Sequence, residues 1–170
     1  MSEVLPPDHF EPDALLEALV ESRVRFILVG GLAVAAHGVV RATRDMDIVP
    51  DPEPANLGRL AAVLGELDAR QIGVDTELLP YQPTETAGLI AGGSFQLATV
   101  HGQLDLLQES DVIPSFAALA ADAIDIDWRG NTILVCSLVH LRRMKRQAGR
   151  ALDLRDLDQL AEVHGEPEPE

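Results

Sequence analysis

Two aspartates one residue apart, Asp45 and Asp47, open the short apolar run Met46-Asp47-Ile48-Val49. In a strand, residues i and i+2 share a face, so both carboxylates point one way while Met46 and Ile48 point the other. Ionised carboxylates about 7 Å apart on one face repel each other, and a cation between them relieves the repulsion. All-oxygen donors suit a hard ion, Mg²⁺ with Mn²⁺ as the alternative, of the kind shared between carboxylates and substrate phosphates. Upstream, Gly30-Gly31 follows Phe26-Ile27-Leu28-Val29 directly and precedes the helical-looking Leu32–His37. Glycines at a strand-to-helix turn let backbone N–H groups come close to an anion. A phosphate cradle beside a pair of metal-binding carboxylates points to chemistry on a nucleoside triphosphate.

A third acid is expected for two-metal phosphoryl chemistry. Asp105 is the candidate, because it interrupts the apolar strand Leu104-Asp105-Leu106-Leu107, and a charge there needs a partner or an ion. Arg41, Thr43 and Arg44 flank the aspartate pair, and arginine is suited to bidentate phosphate contacts. Residues 142–150 hold five of the thirteen basic residues, including Lys145, the chain's one lysine. On a helix, Arg142, Lys145 and Arg146 share a side. That side could receive a leaving pyrophosphate, or it could be a solvated face pairing with Asp153 and Asp156, which are read as structural. His37, one turn past the glycines, is read as structural too.

Gly30-Gly31, thirteen intervening residues and Asp45-Met46-Asp47 together resemble the signature of the nucleotidyltransferase (polymerase-β-like) superfamily. Arg41-Ala42-Thr43-Arg44-Asp45-Met46-Asp47-Ile48 is similar to the minimal nucleotidyltransferase-fold proteins related to toxins of AbiE-type toxin–antitoxin systems. The core of the resemblance spans residues 24–107, and a fainter match, Lys145-x4-Arg150-x2-Asp153-x2-Asp156-Leu157, carries it to about residue 160. The resemblance implies transfer of a nucleoside monophosphate from an NTP to a hydroxyl acceptor (small molecule, protein or RNA). Asp45, Asp47 and Asp105 would then be catalytic and metal-holding, and Gly30, Gly31, Arg41, Thr43, Arg44 and Lys145 nucleotide-binding. The alternative it implies is a non-catalytic or partner-dependent component of a toxin–antitoxin pair.

The elements that must position these groups follow from periodicity and turn chemistry. Helices are predicted over 12–22, 31–38, 54–68, 115–121, 138–148 and 153–163. Strands are predicted over 25–29, 45–49, 95–100, 103–107, 123–127 and 132–136, with His101-Gly102 and the stretch around Arg129-Gly130 as hairpin turns. Residues 77–92, rich in Gly and Pro, read as irregular. Hairpins mixed with a strand–helix–strand unit argue for an α+β fold, and the resemblance specifies a nucleotidyltransferase-like mixed β-sheet flanked by helices. One domain over 1–165 is expected, with a disordered acidic tail over 166–170.

The net charge is −15 and aromatic residues make up only 4% of the chain, so the core must be aliphatic. Such an acidic balance disfavours a broad nucleic-acid surface and with it a tRNA acceptor, tilting the expectation to a small molecule or a protein. A large acceptor domain would have to come from a protein partner or a second subunit. No membrane span or signal core is evident, so a cytoplasmic location is expected. The single cysteine, Cys136, reads as a small buried hydrophobe. Zinc-ligand spacing, GxSxG, the P-loop and GxGxxG are all absent.

Overall fold

The computed structural model describes residues 9–73 and 84–169. In chain order the described elements are α1 (Pro12–Glu21), β1 (Phe26–Val29), α2 (Gly30–Ala36), β2 (Asp45–Pro50), α3 (Pro54–Glu66), β3 (Arg70–Gln71) and α4 (Thr86–Ile90). They continue with β4 (Phe95–Thr99), β5 (Gly102–Leu106), α5 (Phe116–Ala121), β6 (Ile124–Trp128), β7 (Asn131–Val135), α6 (Leu138–Ala148) and α7 (Ala151–His164). Among the described residues the strands form one seven-stranded mixed sheet in the order β3-β4-β5-β2-β1-β7-β6. β1 runs antiparallel to β2 and parallel to β7, and β2 runs parallel to β5.

β1 is a fully buried four-residue strand, Phe-Ile-Leu-Val, as its unbroken apolar run requires. β2 alternates: Met46 and Ile48 are fully buried while Asp45 and Asp47 are half-exposed on the opposite face. Leu97, Leu104 and Leu106 join Met46 and Ile48 in the core, where Leu57, Leu60 and Leu64 of α3 are also fully buried. Each such side chain contributes about 1.5–3 kcal/mol when removed from water. Helices α1, α3 and α4 pack as one group and α2, α6 and α7 as another. Cys136 is buried, with burial pushing its thiol up to about 12, so it behaves as an apolar side chain.

Several boundaries differ from expectation for physical reasons. The first hairpin turns at Val100-His101, because Thr99 pairs with Gly102 inside the ladder. Gly102 takes φ +110, and a Cβ there would lie 2.7 Å from the His9 carbonyl, so a lead-in segment packs where only glycine fits. That segment is held by the Glu11 N–H donating to the His101 carbonyl at 2.8 Å. The 77–92 stretch carries helix α4, and its part over 77–83 lies outside the described residues, as do 1–8 and 170. β3 is too short, at two residues, to leave a period in the sequence.

Asn56 deserves its full burial. Its amide accepts from the Arg25 N–H at 2.7 Å and donates to the carbonyls of Arg25 at 2.9 Å and Asp51 at 2.8 Å. One α3 side chain thereby fastens the entry of β1 to the exit of β2, the two strands that carry the candidate site.

Candidate active site

The β2–β5 register places Asp47 directly beside Asp105, and Asp45 beside Gln103. Residues in register share a face, so all three aspartates point to the same side of the sheet. One carboxylate oxygen from each lies within 4.8 Å of the others. Burial, reinforced by the neighbouring Asp45 and Asp105 charges, pushes the Asp47 carboxyl up to about 7. Burial also raises the Asp105 carboxyl, opposed by the Gln103 amide that donates to it at 2.9 Å. Three converging oxygen donors with no nitrogen or sulfur among them, those of Asp47 and Asp105 desolvated, fit a hard divalent cation, which would relieve the repulsion that now falls on Asp47.

The two glycines make room for the site's own side chains. Gly30 has φ +68, and a Cβ on it would sit 2.0 Å from an Asp47 carboxylate oxygen. A Cβ on Gly31 would sit 2.7 Å from Arg41 Nη2 and 2.8 Å from Thr43 Oγ1. The Gly-Gly turn is therefore wedged between the acid cluster and the 41–43 segment. Thr43 Oγ1 lies 3.2 Å from the Asp45 carbonyl and 3.4 Å from its carboxylate, fixing the approach to β2. Arg44 is exposed immediately before that strand.

Arg41 and Lys145 occupy a buried ionic network. Lys145 Nζ reaches Asp153 at 3.2 Å and Asp156 at 2.9 Å, and Arg41 Nη1 reaches Asp156 at 3.3 Å. Asp153 and Asp156 are almost wholly buried. Burial alone would raise the Asp153 carboxyl, but hydrogen bonds from Arg150 and Lys145 hold it below its ordinary value. Arg150 donates to Asp153 at 2.7 Å, caps the start of α7 and is raised by that carboxylate. The pairing of the basic stretch with Asp153 was legible in its spacing, but its burial was not: an acidic i, i+3 pair on a polar helix looks like a solvated face. The Lys145 charge lowers the Asp47 carboxyl, and the Asp45 and Asp47 charges help to raise Arg150, so the network adjoins the acid cluster.

His37 has a structural partner, its Nε2 lying 2.9 Å from the Cys136 carbonyl, and its own carbonyl accepts from His164. Gln103 and the Arg41–Asp156 link gave no individual signal in the sequence, since each depends on a neighbour brought in by the sheet or by α7.

No protein-family model matches the sequence. No match is found among curated proteins. Solved structures do match. The antibiotic-resistance factor ANT(2'')-Ia in solution aligns with a TM-score of 0.58 at 16% identity, over 89% of this chain and 80% of that one. The chain has the nucleotidyltransferase fold. The lincosamide antibiotic adenylyltransferase LnuA, bound to lincomycin, shares it with a TM-score of 0.55 at 14% identity, over 89% and 95% of the two chains. TM1012 of Thermotoga maritima does so with a TM-score of 0.52 at 17% identity, over 90% and 95%. In this nucleotidyltransferase fold the acid cluster lies on β2 and β5, and the Gly-Gly turn ends β1.

Proposed function

We propose that the chain is a Mg²⁺-dependent nucleotidyltransferase that moves a nucleoside monophosphate from an NTP to a hydroxyl acceptor. The observation that carries this is the convergence of Asp45, Asp47 and Asp105 within 4.8 Å, beside a Gly-Gly turn that ends β1. Asp45, Asp47 and Asp105 would hold Mg²⁺ (or Mn²⁺), which when bound supplies charge neutralisation at the reacting phosphate. Gly30-Gly31 seats the triphosphate, with Thr43 and Arg44 beside it, while Arg41 and Lys145 brace the turn from the buried ionic network and contribute their charge from there. The acceptor oxygen forms a bond to the α-phosphorus as the bond to the bridging oxygen breaks and pyrophosphate leaves. The acceptor's proton passes to one of the three carboxylates. Most of the rate comes from orientation and preorganised charge.

ANT(2'')-Ia has been solved with adenylyl-2''-tobramycin and LnuA with lincomycin. Those ligands support an acceptor of small-molecule size for this chain. The rival reading, a partner-dependent half of a toxin–antitoxin pair related to the AbiE type, rests on the Arg41–Ile48 motif.

The test is calorimetric titration of the protein with each NTP, with and without Mg²⁺, beside an Asp45→Ala/Asp47→Ala variant. Mg²⁺-dependent binding that the variant loses is the expected result. Absence of binding to every NTP, with both proteins folded, would overturn the enzyme reading for the chain alone.

A further inference from the structure

The strand register extends the acid face toward the sheet edge. From β2 outward, one row runs Asp45, Gln103, Ala98, Arg70, and the next runs Asp47, Asp105, Gln96. Their opposite-facing neighbours Leu97, Thr99, Leu104 and Leu106 are buried in the core. On the acid side, Gln96, Ala98 and Arg70 are exposed and Gln103 is half-exposed, and among the described residues no helix covers this part of the face. The floor is short where Ala98 lies, with the Gln103 amide beside it on β5, Gln96 two residues along its own strand and Arg70 at the edge.

We propose that this shelf seats the acceptor, that Gln96, Ala98 and Gln103 set its specificity, and that the acceptor is a small, hydroxyl-rich molecule of one or two rings. The inference rests on the transferase reading above and deepens it. A reacting hydroxyl must lie against Asp105 and Asp47, and the shelf is the open surface continuous with Asp105. It spans two strand spacings, about 10 Å, from β5 to the edge strand β3. Along the strands it spans two residues, about 7 Å. A sugar-sized ring system fills such a surface; a folded macromolecule needs a contact of about 800 Å² a side, many times the shelf. Glutamine amides both donate and accept, which matches vicinal hydroxyl groups. At the far edge, Arg70 is paired with Asp68 at 3.2 Å, so the shelf ends on a neutralised pair and offers no cationic track for a polynucleotide backbone. Ala98 is the residue whose size decides what fits: a large side chain there would stand in the middle of the floor without touching the Gly-Gly turn.

The test is backbone-amide NMR of the full chain. Mg²⁺ with a non-hydrolysable ATP analogue is added first, then tobramycin, lincomycin or a short single-stranded RNA in separate titrations. The expected result is that the nucleotide shifts Gly30 and Gly31, and that a hydroxylated small molecule then shifts Gln96, Ala98 and Gln103. Ala98→Trp abolishes the second set of shifts and keeps the first, whereas Val139→Trp, on the exposed face of α6, keeps both. Nucleotide shifts without any shelf response to either antibiotic overturn the inference and leave the transferase reading standing. A shelf response to RNA alone overturns it as well, as does loss of the nucleotide shifts in Ala98→Trp. Absence of nucleotide shifts in the unaltered chain overturns both.

Discussion

Asp47 carries most of the strain in the site. Its carboxyl is pushed from an ordinary 3.8 to about 7 by burial and by Asp45 and Asp105. The folded chain therefore binds a proton that the unfolded chain releases across that interval, so stability falls as pH rises through it. The penalty above the interval is on the order of a few kcal/mol. In metal-free protein, Asp47→Asn raises the melting temperature strongly at about pH 8, by less at about pH 5, and hardly at all once the pH falls below 3.8. Added Mg²⁺ reverses the order at the higher pH, because only the aspartate form gains a ligand. Thermal denaturation of both proteins with and without Mg²⁺ measures this. An unchanged melting temperature for Asp47→Asn at both pH values would contradict the burial argument. Gly30→Ala makes the complementary change. Its Cβ would fall 2.0 Å from an Asp47 oxygen on a backbone at φ +68. It should cost about 1–3 kcal/mol and also weaken Mg²⁺·NTP binding, a pairing of effects that denaturant unfolding and calorimetry read separately.

Two elements hold the site without touching a substrate. α3 does so through Asn56, whose amide makes three hydrogen bonds to the backbone around β1 and β2. Asn56→Ala removes the acceptor of the Arg25 N–H and the donor to the Asp51 carbonyl, while the Arg25 carbonyl keeps the Asp51 N–H, and it is expected to cost about 1–3 kcal/mol in urea unfolding. A loss under half a kilocalorie, roughly the value for an exposed position, would show that water takes over the role. The α6–α7 pair does so through Lys145, Asp153 and Asp156, with Arg41 tying α7 back to the Gly-Gly turn. Removing one partner of a buried ionic network leaves uncompensated charge, so Lys145→Met should destabilise by about 3–5 kcal/mol. Its nucleotide affinity should fall as well. A loss of affinity at full stability would make Lys145 a surface phosphate ligand, contrary to its bonding here.

At the scale of the whole molecule, a net charge of −15 repels a triphosphate before it arrives. The acid cluster adds to that repulsion until a cation fills it. Nucleotide binding is therefore expected to vanish on chelation of divalent ions rather than merely weaken. Titration with ATP in excess EDTA checks this; retained affinity would place the nucleotide on a cationic surface away from the three aspartates. Among the described residues, no helix is long and apolar enough to cross a membrane.

The sequence by itself determined whatever depends on near neighbours. The i, i+2 spacing put Asp45 and Asp47 on one face, the apolar run buried β1, and Ser137 and Gly149 bounded α6. Asp105 was legible because a charge inside Leu104–Leu107 violates the burial pattern of its own strand. Only the tertiary structure decided which strands lie side by side, since pairing β2 with β5 joins residues far apart in the chain. That pairing brought Asp105 against Asp47, set Gln103, Ala98 and Gln96 beside them, and perturbed the Asp47 carboxyl. It also took burying α7 to turn Asp153 and Asp156 from apparent surface charges into the anchors of Lys145 and Arg41. Local period fixes where a side chain points; the free energy of its charge depends on what the rest of the chain packs around it.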